Sequence, residues 1–334
     1  MSIDKTRRRL DSHQMTRVVV DQDITPTAGI EEGLPDGWDI DVGIGRDTDE
    51  VIAALDGADI LLTTSRIKVT RDVLSRSHSL QLVGKIGTGI DNVDLEAARE
   101  LGIPVTYTPG YNALSVAELG LGLMLGAARR YTEARELLED SRWRDELSLG
   151  KRISGTTVGI VGLGNVGKRF AQLLTGFHAN IVYSDPYIPP IDGEIVGADP
   201  VALDALLETS DFVVLMPELT AETTGLIGHR ELSLMQDDAI LVNTARGTVV
   251  DEKALIEALE KDEIGGAGLD VYEVEPLDAS SPLLSFDQVV TTPHIGAMTH
   301  ADRTKTITEL THNVIALTRG DPVDPSCLAV SPDI

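Results

Sequence analysis

At 334 residues the chain exceeds what one typical core organises, and its 42% apolar content is ample for two domains. Fifty-four acids against 28 bases leave a net charge of −26, which repels polyanions and excludes a nucleic-acid tracking role. No stretch reaches the roughly 20 uninterrupted apolar residues of a membrane span.

Only 8 of the bases are lysine. A carboxylate-rich, lysine-poor surface over an ordinary core fits a halophilic protein, since at 1 M salt the Debye length shrinks to about 3 Å. No apolar core of a signal peptide follows the charged start, so a cytoplasmic location is expected. The single cysteine, Cys327, makes no internal disulfide and reads as an inert or surface thiol.

Residues 1 to 16 include Arg7, Arg8 and Arg9, lack periodicity and read as a polar extension. The first array then alternates short apolar runs with helical ones. Strands are expected at Arg17 to Asp23, Trp38 to Val42, Ala58 to Thr63, Gln81 to Lys85 and Ile103 to Tyr107. Helices are expected at Asp49 to Leu55, Arg71 to Ser77 and Leu95 to Leu101. This alternation implies a parallel α/β sheet, complete before the glycine-rich stretch begins. Asn112 to Arg130 follows as a long helix whose leucines and small residues cover most of its circumference. A helix tolerates that only when buried all round, between domains or at a subunit seam. The charged segment beyond carries Trp143, which either anchors to a partner subunit or caps a local cluster.

The second array opens at Thr157 to Pro186. An apolar run, Val158 to Val161, meets Gly162-Leu163-Gly164-Asn165-Val166-Gly167. An amphipathic helix from Lys168 to Thr175 and a strand, Ile181 to Ser184, then lead to Asp185. Strand, glycine turn, helix, strand and acid in this order describe a dinucleotide-binding unit. Gly162 permits the tight turn, Gly164 lets the backbone approach a pyrophosphate, and Gly167 lets the helix pack close to the strand. The helix start offers unpaired N–H groups to the phosphates. Asp185 can accept hydrogen bonds from both ribose hydroxyls and repels a 2′-phosphate, so NAD is expected over NADP. Further helices are expected at Val201 to Glu208, Arg230 to Met235 and Lys253 to Lys261. The strands among them are Phe212 to Met216, Ala239 to Asn243, Gly268 to Val271 and Val289 to Thr292. A terminal helix, Asp302 to Thr318, ends at Gly320 and could return to the first domain.

Three positions in the second array follow directly on strands, where ligands of parallel α/β sheets sit. Arg246, in Asn243-Thr244-Ala245-Arg246-Gly247, can grip a carboxylate with two parallel hydrogen bonds. Glu275 lies in Asp270-Val271-Tyr272-Glu273-Val274-Glu275-Pro276, and His294 in Thr292-Pro293-His294-Ile295-Gly296-Ala297. Each alone suits a bland surface or loop role. Three strand ends converging on one crevice point to chemistry.

These blocks, with Gly89-Ile90-Asp91-Asn92-Val93-Asp94 and Asn112 with Ser115-Val116-Ala117-Glu118, resemble the D-isomer-specific 2-hydroxyacid dehydrogenases. The resemblance covers roughly residues 50 to 320. It implies two doubly wound parallel-sheet α/β domains, a Rossmann nucleotide domain (112–299) inserted into a flavodoxin-like substrate domain (1–111 and 300–334). It also implies a crevice closed by hinge motion, and a homodimer formed through the nucleotide domain. No metal is expected.

By the same resemblance Arg246, Glu275 and His294 are catalytic. His294, doubly protonated, donates to the substrate carbonyl, and Glu275 on its far nitrogen favours the charged form. Arg246 binds the carboxylate and steadies developing charge. Backbone N–H groups of Ile86, Gly87, Thr88 and Gly89 hold the other carboxylate oxygen. NAD contacts are implied for Gly162, Gly164, Asn165, Val166, Gly167 and Asp185. They are implied too for Pro217 and Thr223 along the adenosine half, and for Thr244, Ala245, Asp270, His294 and Ala297 near the nicotinamide.

The departures bear on substrate. Relatives acting on phosphoglycerate often carry arginine near the position of Thr64, and many have a further C-terminal regulatory domain; neither feature is evident, although Arg66 could substitute. Met298 stands where a small polar residue is usual. The expected reaction is therefore reversible reduction of an unphosphorylated aliphatic 2-keto acid to the D-2-hydroxy acid. The rivals are 3-phosphoglycerate dehydrogenase and a non-catalytic NADH-sensing binding protein.

Overall fold

The computed structural model describes residues 16–332, so all but the last residue of the polar extension lies outside it. Two compact units share the chain. One runs through Asn112 and resumes at Thr299; the other holds Ala113–Met298.

The first unit opens with β1 (Arg17–Asp21), α1 (Ala28–Gly33), β2 (Asp39–Ile44), α2 (Thr48–Ala54) and β3 (Ile60–Thr63). It continues with α3 (Arg71–Arg76), β4 (Leu82–Lys85), α4 (Leu95–Glu100) and β5 (Val105–Tyr107). The second unit begins with α5 (Ala113–Ala128), α6 (Tyr131–Glu139), β6 (Thr157–Val161), α7 (Asn165–Leu174) and β7 (Asn180–Ser184). Next come α8 (Pro190–Val196), β8 (Asp199–Pro200), α9 (Leu203–Thr209) and β9 (Phe212–Leu215). It ends with α10 (His229–Leu232), β10 (Ile240–Asn243), α11 (Glu252–Glu260), β11 (Gly266–Leu269) and β12 (Val289–Thr291). Then α12 (His300–Arg319) and β13 (Leu328–Val330) rejoin the first unit.

In the first unit the strand order is β13-β5-β4-β3-β1-β2, parallel throughout except for antiparallel β13 on β5. Successive side chains of β1 serve opposite faces, as a period of two requires. Val18 and Val20 pack with Ile30, Leu310 and Val314, while Val19 packs with Leu55, Leu74 and Val83. Helix α12 lies on the first of these faces. A Cβ on Gly84 of β4 would stand 3.1 Å from Val314, so glycine sets how closely that helix approaches. Helix starts carry the expected caps: Asp47, Thr70, Asp94, Asp251 and Thr299 each accept a first-turn N–H.

In the second unit the order is β12-β11-β10-β9-β6-β7-β8, all parallel. Strands β9 and β10 are buried end to end, the continuous apolar pattern of a sheet covered on both faces. The chain leaves β6 for β7 on one side and later reaches β9 on the other, so the order reverses at β6. That reversal opens a crevice at its carboxyl end.

Several expectations need correction. Helices α1, α6 and α8 and strand β13 were not anticipated; α6 is strongly charged and buries only Leu137. In the single chain, α5 leaves Leu114, Glu118 and Gly122 exposed as a stripe four residues apart. Trp143 is 65% exposed and caps no local cluster. Cys327 is buried, so it is not a surface thiol. Among the described residues, no helix is long and apolar enough to cross a membrane.

Candidate active site

The glycine turn behaves as its spacing demands. Gly162 has φ +90°, and a Cβ there would fall 2.6 Å from the Cα of Pro217, so it serves both turn and close approach. A Cβ on Gly167 would fall 2.2 Å from the Gly162 carbonyl oxygen, which fixes α7 tight on β6. A Cβ on Gly164 would meet nothing within 4 Å. Helix α7 starts at Asn165, three residues before the expected Lys168, so Asn165 and Val166 belong to its first turn. Gly164 caps it without a side chain, and the first-turn donors point outward from the helix end. Asp185, just past β7, accepts the Leu163 N–H at 2.9 Å and the Tyr187 N–H at 3.0 Å. Its carboxylate is thus locked onto the turn it serves.

A pyrophosphate-bearing dinucleotide fits this set of groups. Open space over Gly164, unpaired helix donors and an oriented carboxylate are the parts that it requires. The Thr244 hydroxyl adds a buried oxygen with no protein partner at the end of β10. The Thr223 hydroxyl donates to the Glu218 carbonyl at 2.6 Å and accepts the Thr220 N–H at 2.8 Å, so it staples its own loop. Gly164→Ala is expected to leave stability within about 0.5 kcal/mol while weakening NADH binding at least about tenfold by filling the pyrophosphate approach. Denaturant midpoints beside a fluorescence titration check both halves.

Arg246, Glu275 and His294 all lie in the second unit on loops leaving neighbouring strands β10, β11 and β12. Asn243, to which the sequence assigned no role, shapes the first loop. Its side chain accepts the Ala245 N–H at 3.0 Å and donates to the Arg246 carbonyl at 2.9 Å. Arg246 Nη1 donates to the Ala245 carbonyl at 2.8 Å. Gly247 touches the next loop: a Cβ there would fall 1.8 Å from the Tyr272 carbonyl carbon.

Strand β11 ends at Leu269, two residues before the expected Val271, and Gly266 and Gly268 let its neighbours pack close. Asp270 and everything beyond it therefore belong to the loop. Glu275 spans from the Tyr272 N–H, at 3.2 Å, to His294 Nδ1, at 2.7 Å. Tyr272 is buried with its hydroxyl on the Thr292 carbonyl at 2.9 Å, and burial raises its pKa. This ties the glutamate loop to the histidine loop.

His294 itself has φ +56°, a left-handed backbone that histidine adopts more readily than most residues. Asp270, 1% exposed, holds this turn by accepting the Ile295 N–H at 2.8 Å and the Gly296 N–H at 2.9 Å. It also takes the Thr292 hydroxyl at 2.6 Å. Burial raises the Asp270 pKa, and those three donors and the nearby imidazole oppose the rise. Its expected place near a carboxamide is joined by a scaffolding role that sequence did not show. Ala297 follows this turn, half-buried.

In the first unit the candidate carboxylate grip narrows. The Ile86 N–H is bonded to the Thr63 carbonyl at 2.9 Å and the Gly87 N–H to the Thr108 hydroxyl at 2.8 Å. Both are corrected to scaffold roles, which leaves the Thr88 and Gly89 N–H groups. Lys85, buried at 3% exposure, has its Nζ 3.2 Å from where a Gly87 Cβ would be. The sequence did not single it out.

Known proteins share this layout. A sequence model of the D-isomer specific 2-hydroxyacid dehydrogenase NAD binding domain matches residues 121–296. The D-3-phosphoglycerate dehydrogenase of Methanocaldococcus jannaschii is 39% identical over 289 residues, which are 86% of this chain and 55% of that protein. The chain therefore spans about half the length of that relative. The hydroxypyruvate reductase of Thermotoga maritima is 40% identical over 253 residues, covering 75% of this chain and 82% of the relative. A crystal structure of D-lactate dehydrogenase from Aquifex aeolicus, complexed with NAD and lactic acid, superposes with a TM-score of 0.84. It has 26% identity, over 95% of this chain and all of that one (100%). With the glycine turn, the three strand-end loops and these matches in agreement, the chain belongs to the D-isomer specific 2-hydroxyacid dehydrogenase family, and its second unit is that family's NAD-binding domain.

Proposed function

We propose that the protein reduces a 2-keto carboxylic acid reversibly to the D-2-hydroxy acid with NADH. The observation that carries this reading is the 2.7 Å contact between Glu275 and His294 Nδ1. With Nδ1 held by a carboxylate, Nε2 is the nitrogen that gives a proton to the carbonyl oxygen and recovers it in the reverse direction. NADH, when bound, supplies the hydride. Arg246 holds the substrate carboxylate and its charge steadies the oxygen as it becomes negative. The first unit is given a substrate-binding role of its own through the Thr88 and Gly89 N–H groups.

Within this reading the substrate is an unphosphorylated aliphatic keto acid. Thr64 has no charge to offer a phosphate, and its hydroxyl is committed to Asp21 at 2.7 Å. A second reading, phosphoglycerate dehydrogenase, gains support from Arg66 and Arg303, whose charges both act on Asp23 beside β1. The similarity to a phosphoglycerate dehydrogenase supports it as well. NADH oxidation with pyruvate, longer keto acids, hydroxypyruvate and 3-phosphohydroxypyruvate separates the two. The first reading expects the unphosphorylated acids to lead in kcat/KM by at least about tenfold. Tight NADH binding with no turnover of any of them would instead mark a cofactor-sensing binding protein.

The protein is further proposed to act as a cytoplasmic homodimer. Leu114, Tyr131, Leu138, Trp143 and Leu149 all stand exposed along α5, α6 and the segment after them. So many large apolar side chains on one arm suit a covered seam.

A further inference from the structure

Sheet order places β7 and β9 on either side of β6, so their loops flank the glycine turn. Both loops are fixed to it. The β7 loop is tied through Asp185 to the Leu163 N–H at 2.9 Å. The β9 loop presses Pro217 against Gly162, as the 2.6 Å Cβ approach shows. The β9 loop is also stapled internally, with Thr220 Oγ1 accepting the Glu222 N–H at 3.2 Å. One further contact joins the two loops to each other: the Tyr187 hydroxyl donates to the Glu222 carboxylate. Leu163, Asp185, Tyr187, Glu222, Pro217 and Gly162 thereby frame the carboxyl end of β6, where a doubly wound sheet receives adenosine.

We propose that Tyr187 and Glu222 form a strap across the adenosine mouth that holds a second carboxylate beside Asp185 and so sets the preference for NAD(H) over NADP(H). This rests on the dinucleotide reading of the second unit. Packing does not explain the pair, since Tyr187 is 74% exposed. The phenol's pKa is raised, first by its hydrogen bond to Glu222 and more weakly by the charge of Asp185, so both carboxylates act on one hydroxyl. A 2′-phosphate brings a charge close to −2 into that field. Of the cations of α7, Lys168 is already neutralised by Asp192 at 2.6 Å, and Arg169 keeps its charge with one donor on the Asn165 carbonyl at 3.0 Å.

The test is a fluorescence titration of the full chain with NADH and, separately, NADPH, at low and at molar KCl. Glu222→Gln keeps the shape and the hydrogen bond but removes the charge. At low salt it is expected to tighten NADPH by about five- to tenfold and to move NADH by less than about twofold. Molar KCl is expected to shrink that gain to about twofold, because the repulsion is screened. Tyr187→Phe, which leaves Glu222 charged but untethered, is expected to gain less for NADPH and to speed NADH release. An NADPH affinity unchanged in Glu222→Gln, with NADH bound tightly, overturns the strap alone. Failure of the unaltered protein to bind NADH overturns the dinucleotide reading and the strap with it.

Discussion

His294→Asn is expected to lower the turnover of 2-keto acid and NADH by about 10²- to 10⁴-fold, the range a general acid contributes. Asparagine is the informative choice because the residue sits at φ +56°, which asparagine also tolerates. The turn should survive the change, since Asp270 still takes the Ile295 and Gly296 N–H groups. What disappears is the imidazole between Glu275 and the substrate oxygen. NADH affinity is expected to stay within about threefold, as the glycine turn and Asp185 are untouched. Steady-state rates beside a fluorescence Kd measure the two effects separately. A variant that kept a tenth of the original rate would remove His294 from the proton transfer.

Gly247→Ala is expected to be the most damaging single methyl in the second unit. The Cβ would lie 1.8 Å from the Tyr272 carbonyl carbon, 1.9 Å from its oxygen and 2.4 Å from the Glu273 nitrogen. All three are main-chain atoms, so no side chain can swing aside. The loops after β10 and β11 must part, at a cost of about 3 kcal/mol or more. Parting them moves Arg246 relative to Glu275, and a displacement near 1 Å is expected to cost about 100-fold in kcat/KM. Urea midpoints and kinetics on the same preparation test this. Stability within 0.5 kcal/mol of the parent, by the marker of an ordinary surface substitution at about that size, would show that the two loops do not meet as described.

Local pattern carried much of the fold. Apolar runs such as Phe212 to Met216 and Ala239 to Asn243 read as buried strands, which the structure bears out over Phe212–Leu215 and Ile240–Asn243, and their alternation with helices implies two parallel sheets. Boundaries were legible where a residue forces them, as Gly320 does with φ +76° at the end of α12. They slipped at β11, expected from Gly268 and observed from Gly266, because Gly266 looks like a turn residue until its close approach to the Gln288 carbonyl is known. Helix α6 was missed because charge hides a helix with one buried side chain.

By itself the order of residues determined the strand–turn–helix unit, the acid that follows it, and the three polar side chains waiting at strand ends. Each depends on neighbours in the chain, so spacing suffices to read it. The pairing of Glu275 with His294 was implied by the family resemblance, whereas tertiary structure alone decided that Asp270 holds the histidine turn, and that the Ile86 and Gly87 donors are already taken. It also brought Tyr187 to Glu222 across thirty-five residues of chain. These contacts join loops from different strands, and only sheet order determines which loops become neighbours.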